Sequence, residues 1–215
     1  MSIPLNSQLI STLLFDLDGT LLDSFAAHYK AYQIMFPQFG IEVSEAHFFA
    51  NYSPDWYHTY RMVGLPEDQW QDADRVWLEA VADINCELFP NTLSMLTKLA
   101  QTYLLGLITS GSKSRVQREL KYTGLDQFFP VVVTGDDVDR PKPDPQGLQM
   151  ALSAMGKPGE GAVYIGDTVV DYEMATMAGI PFVGVNGRFQ SFPLDADFPR
   201  IDCLSELPAL LKKTQ

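Results

Sequence analysis

The chain has 215 residues, of which 46% are hydrophobic, which is enough for the core of one domain or of one domain with a small insert. Its 15 basic and 27 acidic residues give a formal net charge of −12, which disfavours nucleic acid or an anionic membrane as a partner. No stretch approaches the roughly 18 apolar residues of a membrane span. No Lys or Arg precedes Lys30, so a secretory signal is not expected. We therefore expect a cytoplasmic location.

Alternating strand and helix patterns predict an α/β fold. Apolar runs bounded by Gly, Pro, Asp or Thr predict buried parallel strands at 12–15, 104–108, 131–134, 162–165 and 182–185. Helical periodicity predicts helices at 92–101, 113–122, 146–155 and 172–178, with a last helix in the tail 196–215. This order is typical of a doubly wound, Rossmann-like parallel sheet, which binds ligands at the carboxyl ends of its strands.

The segment 24–88 differs from the rest in texture. It lacks buried-strand runs and contains Trp56, Trp70 and Trp77 in stretches of helical spacing, such as 68–88. We predict a helical insert at 24–88, with an α/β core formed by 1–23 and 89–215. Ser24 fits the N-cap of a helix that begins at Phe25.

The first candidate motif is LLFDLDGTLL at residues 13–22. Side chains at i and i+2 of a strand share a side, so Asp16 and Asp18 can converge at a strand end, where Gly19 frees the backbone to turn. One carboxylate could attack phosphorus while the other moves the proton of the leaving group. An isolated Asp-x-Asp more often only caps a turn, so this motif needs support from the rest of the chain.

Three further polar segments follow apolar runs. They are ITSG at 108–111, PKPDP at 141–145 and VYIGDTVVD at 163–171. Two prolines stiffen the backbone on either side of Lys142 and limit the wandering of its ammonium group. Taken singly, a Thr at a strand end, a loop Lys or an Asp near a helix start has an ordinary structural explanation.

In this order and spacing, the four segments resemble the signature motifs of the haloacid dehalogenase-like superfamily, over about Leu13 to about Leu211. The chain is most similar to the phosphoglycolate phosphatase-like and beta-phosphoglucomutase-like branch with a helical cap. The resemblance implies an Mg²⁺-dependent phosphomonoester hydrolase acting on a small phosphorylated metabolite through an aspartyl-phosphate. It also implies that the insert is a cap that closes over the active site.

The resemblance also implies a role for each motif residue. Asp16 would be the nucleophile, Asp18 the general acid and base, and Lys142 the group that neutralises the phosphate and orients Asp16. Phosphate would be bound by Thr109, Ser110, Gly111 and Lys142. Mg²⁺ would be bound by Asp16, Asp18 (through its backbone carbonyl), Asp167 and Asp171, the last through a water or, alternatively, acting only as a helix N-terminal charge.

Several alternatives stay open from the sequence. A phosphomutase is the main enzymatic rival, although the segment 51–55 has no arginine to clamp a second phosphate, and a catalytically idle binding protein is another possibility. A dehalogenase fits less well because Asp18 is present. Cys86 and Cys203 are expected to be buried free thiols, and the oligomeric state is not predicted. The candidates for substrate contact in the insert are Lys30, Tyr57, His58 and Arg61. The resemblance to the beta-phosphoglucomutase-like branch implies that His28 could link closure to activation of Asp18, and a surface or hinge histidine is the equal alternative.

Overall fold

The structure is a computed structural model that describes residues 10–50, 56–82, 84–187, 192 and 197–213. The chain divides into two compact units, the first formed by Met1–Asp23 with Glu87–Gln215 and the second by Ser24–Cys86. The segment 51–55, in which the sequence has no arginine to clamp a second phosphate, lies outside the described residues.

A parallel sheet forms the centre of the first unit. The strands in chain order are β1 (Thr12–Phe15), β2 (Leu22–Asp23), β3 (Glu87–Leu88), β4 (Leu104–Ile108), β5 (Val131–Val133), β6 (Ala162–Gly166), β7 (Phe182–Val185) and β8 (Arg200–Ile201). Six of them, in the spatial order β5-β4-β1-β6-β7-β8, pair in parallel. The predicted parallel α/β sheet is therefore confirmed.

Two short elements depart from the sequence pattern. Strand β8 has only two residues, too few to produce a recognisable apolar run. Strands β2 and β3 form a separate antiparallel pair, which brings Leu88 opposite Leu22 and Glu87 opposite Asp23. Glu87 and Leu88 therefore lie with the first unit, whereas the predicted insert had included them.

Helices cover the remaining regular segments. They are α1 (Phe25–Met35), α2 (Glu45–Ala50), α3 (Trp56–Met62), α4 (Trp70–Ala82), α5 (Thr92–Leu99), α6 (Lys113–Thr123), α7 (Gln146–Ala154), α8 (Val169–Ala178) and α9 (Leu207–Lys213). Helix α8 begins three residues before the predicted start, because Thr168 and Asp171 form a capping box at its N-terminus. Asp171 consequently lies in the first helical turn.

The registry of the sheet aligns the ends of its central strands. Phe15 at the end of β1 lies opposite Leu107 of β4 and Ile165 of β6. All four residues of β1 are buried, with Leu13, Leu14 and Phe15 fully enclosed between the helical layers. The polar residues that follow β1, β4 and β6 must therefore emerge at one edge of the sheet.

The second unit is helical, as the residue pattern predicted for most of 24–88. Aromatic contacts hold it together: Tyr32 lies 5.3 Å from Phe48 and 5.8 Å from Trp77 between ring centroids. Ser24 occupies the N-cap position of α1, but its side chain makes no capping hydrogen bond. The helical spacing of 68–88 corresponds to a short 3-10 turn followed by α4, which ends at Ala82.

No helix among the described residues is both long enough and apolar enough to cross a membrane. Cys86 is buried and forms no disulfide, as predicted. The prediction for Cys203 is wrong, because Cys203 is exposed at the start of the 3-10 turn before α9, where its sulfur lies 2.9 Å from the hydroxyl of Ser205.

Candidate active site

The predicted catalytic residues of the core gather at the carboxyl edge of the sheet. Asp16 follows β1 directly, Thr109 follows β4 and Asp167 follows β6. Neighbouring parallel strands in register place these three positions side by side. This is the edge at which open α/β sheets bind their ligands.

Three carboxylates form a tight group at this edge. One oxygen from each of Asp16, Asp167 and Asp171 lies within 4.8 Å of the others. Burial raises the pKa of Asp16 to about 7 and that of Asp167 well above its ordinary value, and the mutual repulsion of the carboxylates adds to both shifts. A set of hard oxygen donors with excess negative charge fits a divalent cation such as Mg²⁺.

Lys142 is the cation that contacts two of these carboxylates. Its Nζ lies 2.5 Å from Oδ1 of Asp16 and 2.8 Å from Oδ1 of Asp171. Burial alone would lower the pKa of Lys142, but the charges of Asp16 and Asp171 overcome that effect and raise it. Lys142 is therefore charged at neutral pH and bridges the residue after β1 to the first turn of α8.

Burial dominates the electrostatic environment of Asp16. Desolvation is the strongest influence on its pKa, followed by the lowering effect of Lys142 and then the raising effect of Asp171. The result is a raised pKa of Asp16, despite the adjacent ammonium group of Lys142. The single positive charge of Lys142 is shared between two carboxylates, which explains why it does not suffice.

Asp171 already uses both of its oxygens. Oδ1 accepts hydrogen bonds from Lys142 and from the hydroxyl of Tyr164, at 2.8 and 3.0 Å. Oδ2 accepts from the backbone N–H and the hydroxyl of Thr168, at 3.1 and 2.6 Å. Asp171 thus acts as a carboxylate at the N-terminus of α8 and also belongs to the three-carboxylate group. Metal binding by Asp171 stays a prediction.

Asp18 lies in the loop after β1 but its carboxylate does not belong to the three-carboxylate group of the described residues. Arg115 of α6 donates to both of its oxygens, from Nη1 to Oδ1 at 3.0 Å and from Nη2 to Oδ2 at 2.5 Å. The convergence of the Asp16 and Asp18 carboxylates therefore stays a prediction. The charge of Asp18 still reaches Asp16, as the weakest of the influences on its pKa.

The loop after β4 contains the predicted phosphate ligands Thr109, Ser110 and Gly111. Thr109 is buried, Ser110 is exposed, and the N–H of Gly111 donates to the hydroxyl oxygen of Thr109 at 3.1 Å. The N–H of Gly135 donates to the carbonyl of Gly111 at 3.0 Å, so the segment after β5 holds this loop in place. Phosphate binding here stays a prediction.

Sequence reasoning missed three polar contributors to the site. The fully buried hydroxyl of Thr20 donates to Oδ1 of Asp167 at 3.0 Å, and the hydroxyl of Tyr164 accepts from Lys142 at 2.8 Å. Arg115 is the third. Thr20 lies next to Gly19 in the first motif, so the sequence could have indicated it. Tyr164 has the pattern of a core residue in a buried strand, and Arg115 that of an exposed charge on a helix.

The candidate residues of the second unit have local partners. The guanidinium of Arg61 lies 5.4 Å from the ring centre of Trp70, which also stacks on Tyr57 at 4.9 Å. His28 meets Trp77 edge-on at 5.2 Å. Their roles toward a substrate, and those of Lys30 and His58, stay predictions.

Comparison with known proteins agrees with this geometry. Residues 13–185 match the model of the family described as haloacid dehalogenase-like hydrolase. The pyrophosphatase PpaX of Listeria monocytogenes is 32% identical over 180 residues, which cover 82% of this chain and 83% of PpaX.

Solved structures share the fold of this chain. A HAD-superfamily hydrolase of Geobacter sulfurreducens is 28% identical with a TM-score of 0.72, covering 94% of this chain and 97% of its own. A protein of Lactobacillus plantarum, named provisionally a phosphoglycolate phosphatase, has a TM-score of 0.84 at 22% identity, covering 94% and 99%. The chain belongs to the haloacid dehalogenase-like hydrolase family.

Proposed function

We propose that the protein is an Mg²⁺-dependent phosphatase that hydrolyses a small phosphorylated metabolite through an aspartyl-phosphate at Asp16. The observation that carries this proposal is the position of Asp16, which lies at the end of β1 within one group with Asp167 and Asp171 and in contact with Lys142. A carboxylate held against a fixed ammonium at the ligand-binding edge of the sheet is placed to act as a nucleophile.

In the first half-reaction, an oxygen of Asp16 attacks phosphorus and the bond from phosphorus to the leaving oxygen breaks. Asp18 supplies the proton that the leaving oxygen takes up. Lys142 offsets charge on the transferring phosphoryl group, and the Thr109 hydroxyl with the amides of Ser110 and Gly111 holds its other oxygens. Alcohol leaves, and Asp16 remains phosphorylated.

In the second half-reaction, a water molecule attacks phosphorus and Asp18 takes its proton. The bond from phosphorus to Asp16 breaks, which releases phosphate and restores the carboxylate. Mg²⁺, when bound by Asp16, Asp167 and the carbonyl of Asp18, would offset the negative charge that gathers around the phosphoryl group. Asp171 would help by fixing Lys142, and any direct or water-mediated contact with the ion is part of the same proposal.

Two related substrates deserve direct comparison. Phosphomonoesters fit the placement of Asp18, because an alcohol needs a proton on leaving. Inorganic pyrophosphate is suggested by the similarity to PpaX, a pyrophosphatase. The mutase alternative, like the idle binding protein, has no stronger support than hydrolysis.

We propose further that residues 24–88 act as a cap that excludes water, and that the enzyme works in the cytoplasm.

The test is a screen of phosphorylated metabolites, pyrophosphate and p-nitrophenyl phosphate, with and without Mg²⁺. We expect one substrate to be hydrolysed far faster than the rest, with release of phosphate that EDTA abolishes. Transfer of the phosphoryl group within the substrate, without release of phosphate, would favour the mutase instead. Binding without any turnover would favour the idle relative.

A further inference from the structure

We propose that Arg115 and Glu119 position the carboxylate of Asp18 for proton transfer. The proposal rests on the proposed function, because it concerns the residue expected to act as acid and base. Arg115 donates to both oxygens of Asp18 in a bidentate pair, at 3.0 and 2.5 Å. Such a planar fork fixes the orientation of a carboxylate as a single contact cannot.

The bidentate pair leaves Asp18 able to react. A carboxylate has about four lone-pair sites on two oxygens, and the fork of Arg115 takes one on each. The Asp18 side chain is 24% exposed, whereas that of Arg115 is only 6% exposed. The oxygens of Asp18 are therefore held from the protein side, while part of the side chain still faces solvent, where a leaving oxygen or a water could meet it.

Glu119 fixes Arg115 in turn. Nη1 of Arg115 donates to Oε2 of Glu119 at 2.9 Å, one helical turn away on α6, and the Glu119 side chain is 2% exposed. A glutamate this deeply buried needs a charged partner, and it holds the guanidinium away from alternative rotamers. The hydrogen bonds that join Glu119, Arg115 and Asp18 thus hold the loop after β1 against helix α6.

The same guanidinium packs against the loop that contains the predicted phosphate ligands. A methyl group at Gly111 would come within 2.2 Å of Nη2 of Arg115, so this glycine leaves room for the guanidinium. Arg115 therefore touches both the segment that contains Asp18 and the segment that contains Thr109. A change at Arg115 should alter the alignment of proton transfer with phosphoryl transfer, in addition to any effect on stability.

The test compares an alkyl phosphate with p-nitrophenyl phosphate, whose leaving group needs little protonation. Removal of Arg115 alone would leave the charge of the buried Glu119 without this partner. The main variant is therefore the double change Arg115→Met and Glu119→Leu, which replaces the buried ion pair by apolar groups. Arg115→Lys keeps the charge and loses the fork. Arg118→Gln is the matched control, since Arg118 lies on the same helix, is 35% exposed and contacts Glu119 only at 3.8 Å.

We expect the ratio of alkyl to aryl turnover to fall at least about tenfold in the double variant, with KM nearly unchanged. Arg115→Lys should lower the ratio less, and Arg118→Gln should leave it unchanged. In an Asp18→Asn background, the double change should lower the ratio no further, because the two act on one step.

Equal losses for both esters, or losses that multiply in the Asp18→Asn background, would overturn the positioning role. An unfolded double variant would not end the test, because Arg115→Lys alone must then shift the ratio, and an unshifted ratio in that folded variant also overturns the role. The proposed function is judged separately, from Mg²⁺-dependent turnover by the unmodified protein.

Discussion

Lys142 and Asp16 are joined by a buried ion pair of 2.5 Å between Nζ and Oδ1, although they are separated by 126 positions in the sequence. The pair connects the first and third motifs, and the hydroxyl of Tyr164 accepts a second hydrogen bond from the same ammonium at 2.8 Å. The carboxylate of Asp16 and the hydroxyl of Tyr164 in β6 thus both orient the ammonium group of Lys142.

Replacement of Tyr164 by Phe should therefore lower kcat without removing Lys142. The loss of one buried hydrogen-bond partner should cost about 1 kcal/mol of stability, and a less well directed ammonium should lower kcat by several-fold. Steady-state kinetics and urea unfolding check both effects. Tyr172→Phe, in which the ring that packs 4.7 Å from Phe198 is kept, is the control and should change neither kcat nor KM. Unaltered kcat in Tyr164→Phe would show that Lys142 needs no such support.

Gly19→Ala should abolish activity for a local steric reason. Gly19 has φ +82°, and a methyl group there would lie 2.3 Å from Oδ2 of Asp167. Gly179 has a similar φ of +71° with nothing within 4 Å, so Gly179→Ala is a matched control for backbone strain alone. Both variants should lose about 1 kcal/mol of stability from the left-handed conformation, but only Gly19→Ala should also lose turnover. Equal activity in the two variants would argue against a functional Asp167.

Mg²⁺ should stabilise the protein even in the absence of substrate. An ion that binds only the folded state raises the free energy of unfolding with its concentration. Because the ion would offset repulsion among Asp16, Asp167 and Asp171, we expect the melting temperature to rise with Mg²⁺ in the unmodified protein. In Asp167→Ala the rise should be much smaller, while the melting temperature without Mg²⁺ stays close to that of the unmodified protein. A full Mg²⁺ response in Asp167→Ala would remove this residue from the ligand set.

Asp137 should stabilise the fold at neutral pH and lose that effect in acid. The hydrogen bond from Lys113, with a second from Thr134, lowers the pKa of Asp137 to about 2. The folded pKa lies below the unfolded value of 3.8, so the stabilisation is complete above pH 4 and disappears as the pH falls toward 2. Solvent screening of the exposed Lys113 reduces its size to about 1 kcal/mol.

Asp137→Asn should accordingly be less stable than the unmodified protein in urea at pH 7, with the difference narrowing toward pH 3. Asp139→Asn, at an exposed position in the same segment, is the control for the loss of one negative charge. A difference that grew on acidification would reverse the sign of the argument.

The sequence predicted the sheet well because buried parallel strands leave continuous apolar runs. The runs 104–108 and 182–185 match β4 and β7 in both ends, whereas the two-residue β8 left no signal. The edge that holds the site could be predicted too, since Asp16 and Asp167 each follow such a run directly.

Contacts made far along the chain could not be predicted in the same way. Nothing in the local pattern indicates that Arg115 reaches Asp18, 97 positions earlier, or that Thr20 donates to Asp167, 147 positions later. These contacts depend on side-chain rotamers and on the packing of α6 against the core. A charged residue on a helix is usually solvent-exposed, so burial of Arg115 at 6% exposure is information that only the structure provides.

The identity of the nucleophile is the central claim, and mass spectrometry of a trapped phosphoenzyme tests it most directly. Asp18→Asn should form the aspartyl-phosphate from p-nitrophenyl phosphate and hydrolyse it slowly, because the base that activates water is missing. Rapid acid quench and proteolysis of that variant should give one phosphorylated peptide, with the phosphoryl group on Asp16. In Asp16→Asn the same peptide should be unmodified and turnover lost. A phosphoryl group on another residue, or near-normal turnover by Asp16→Asn, would contradict the account.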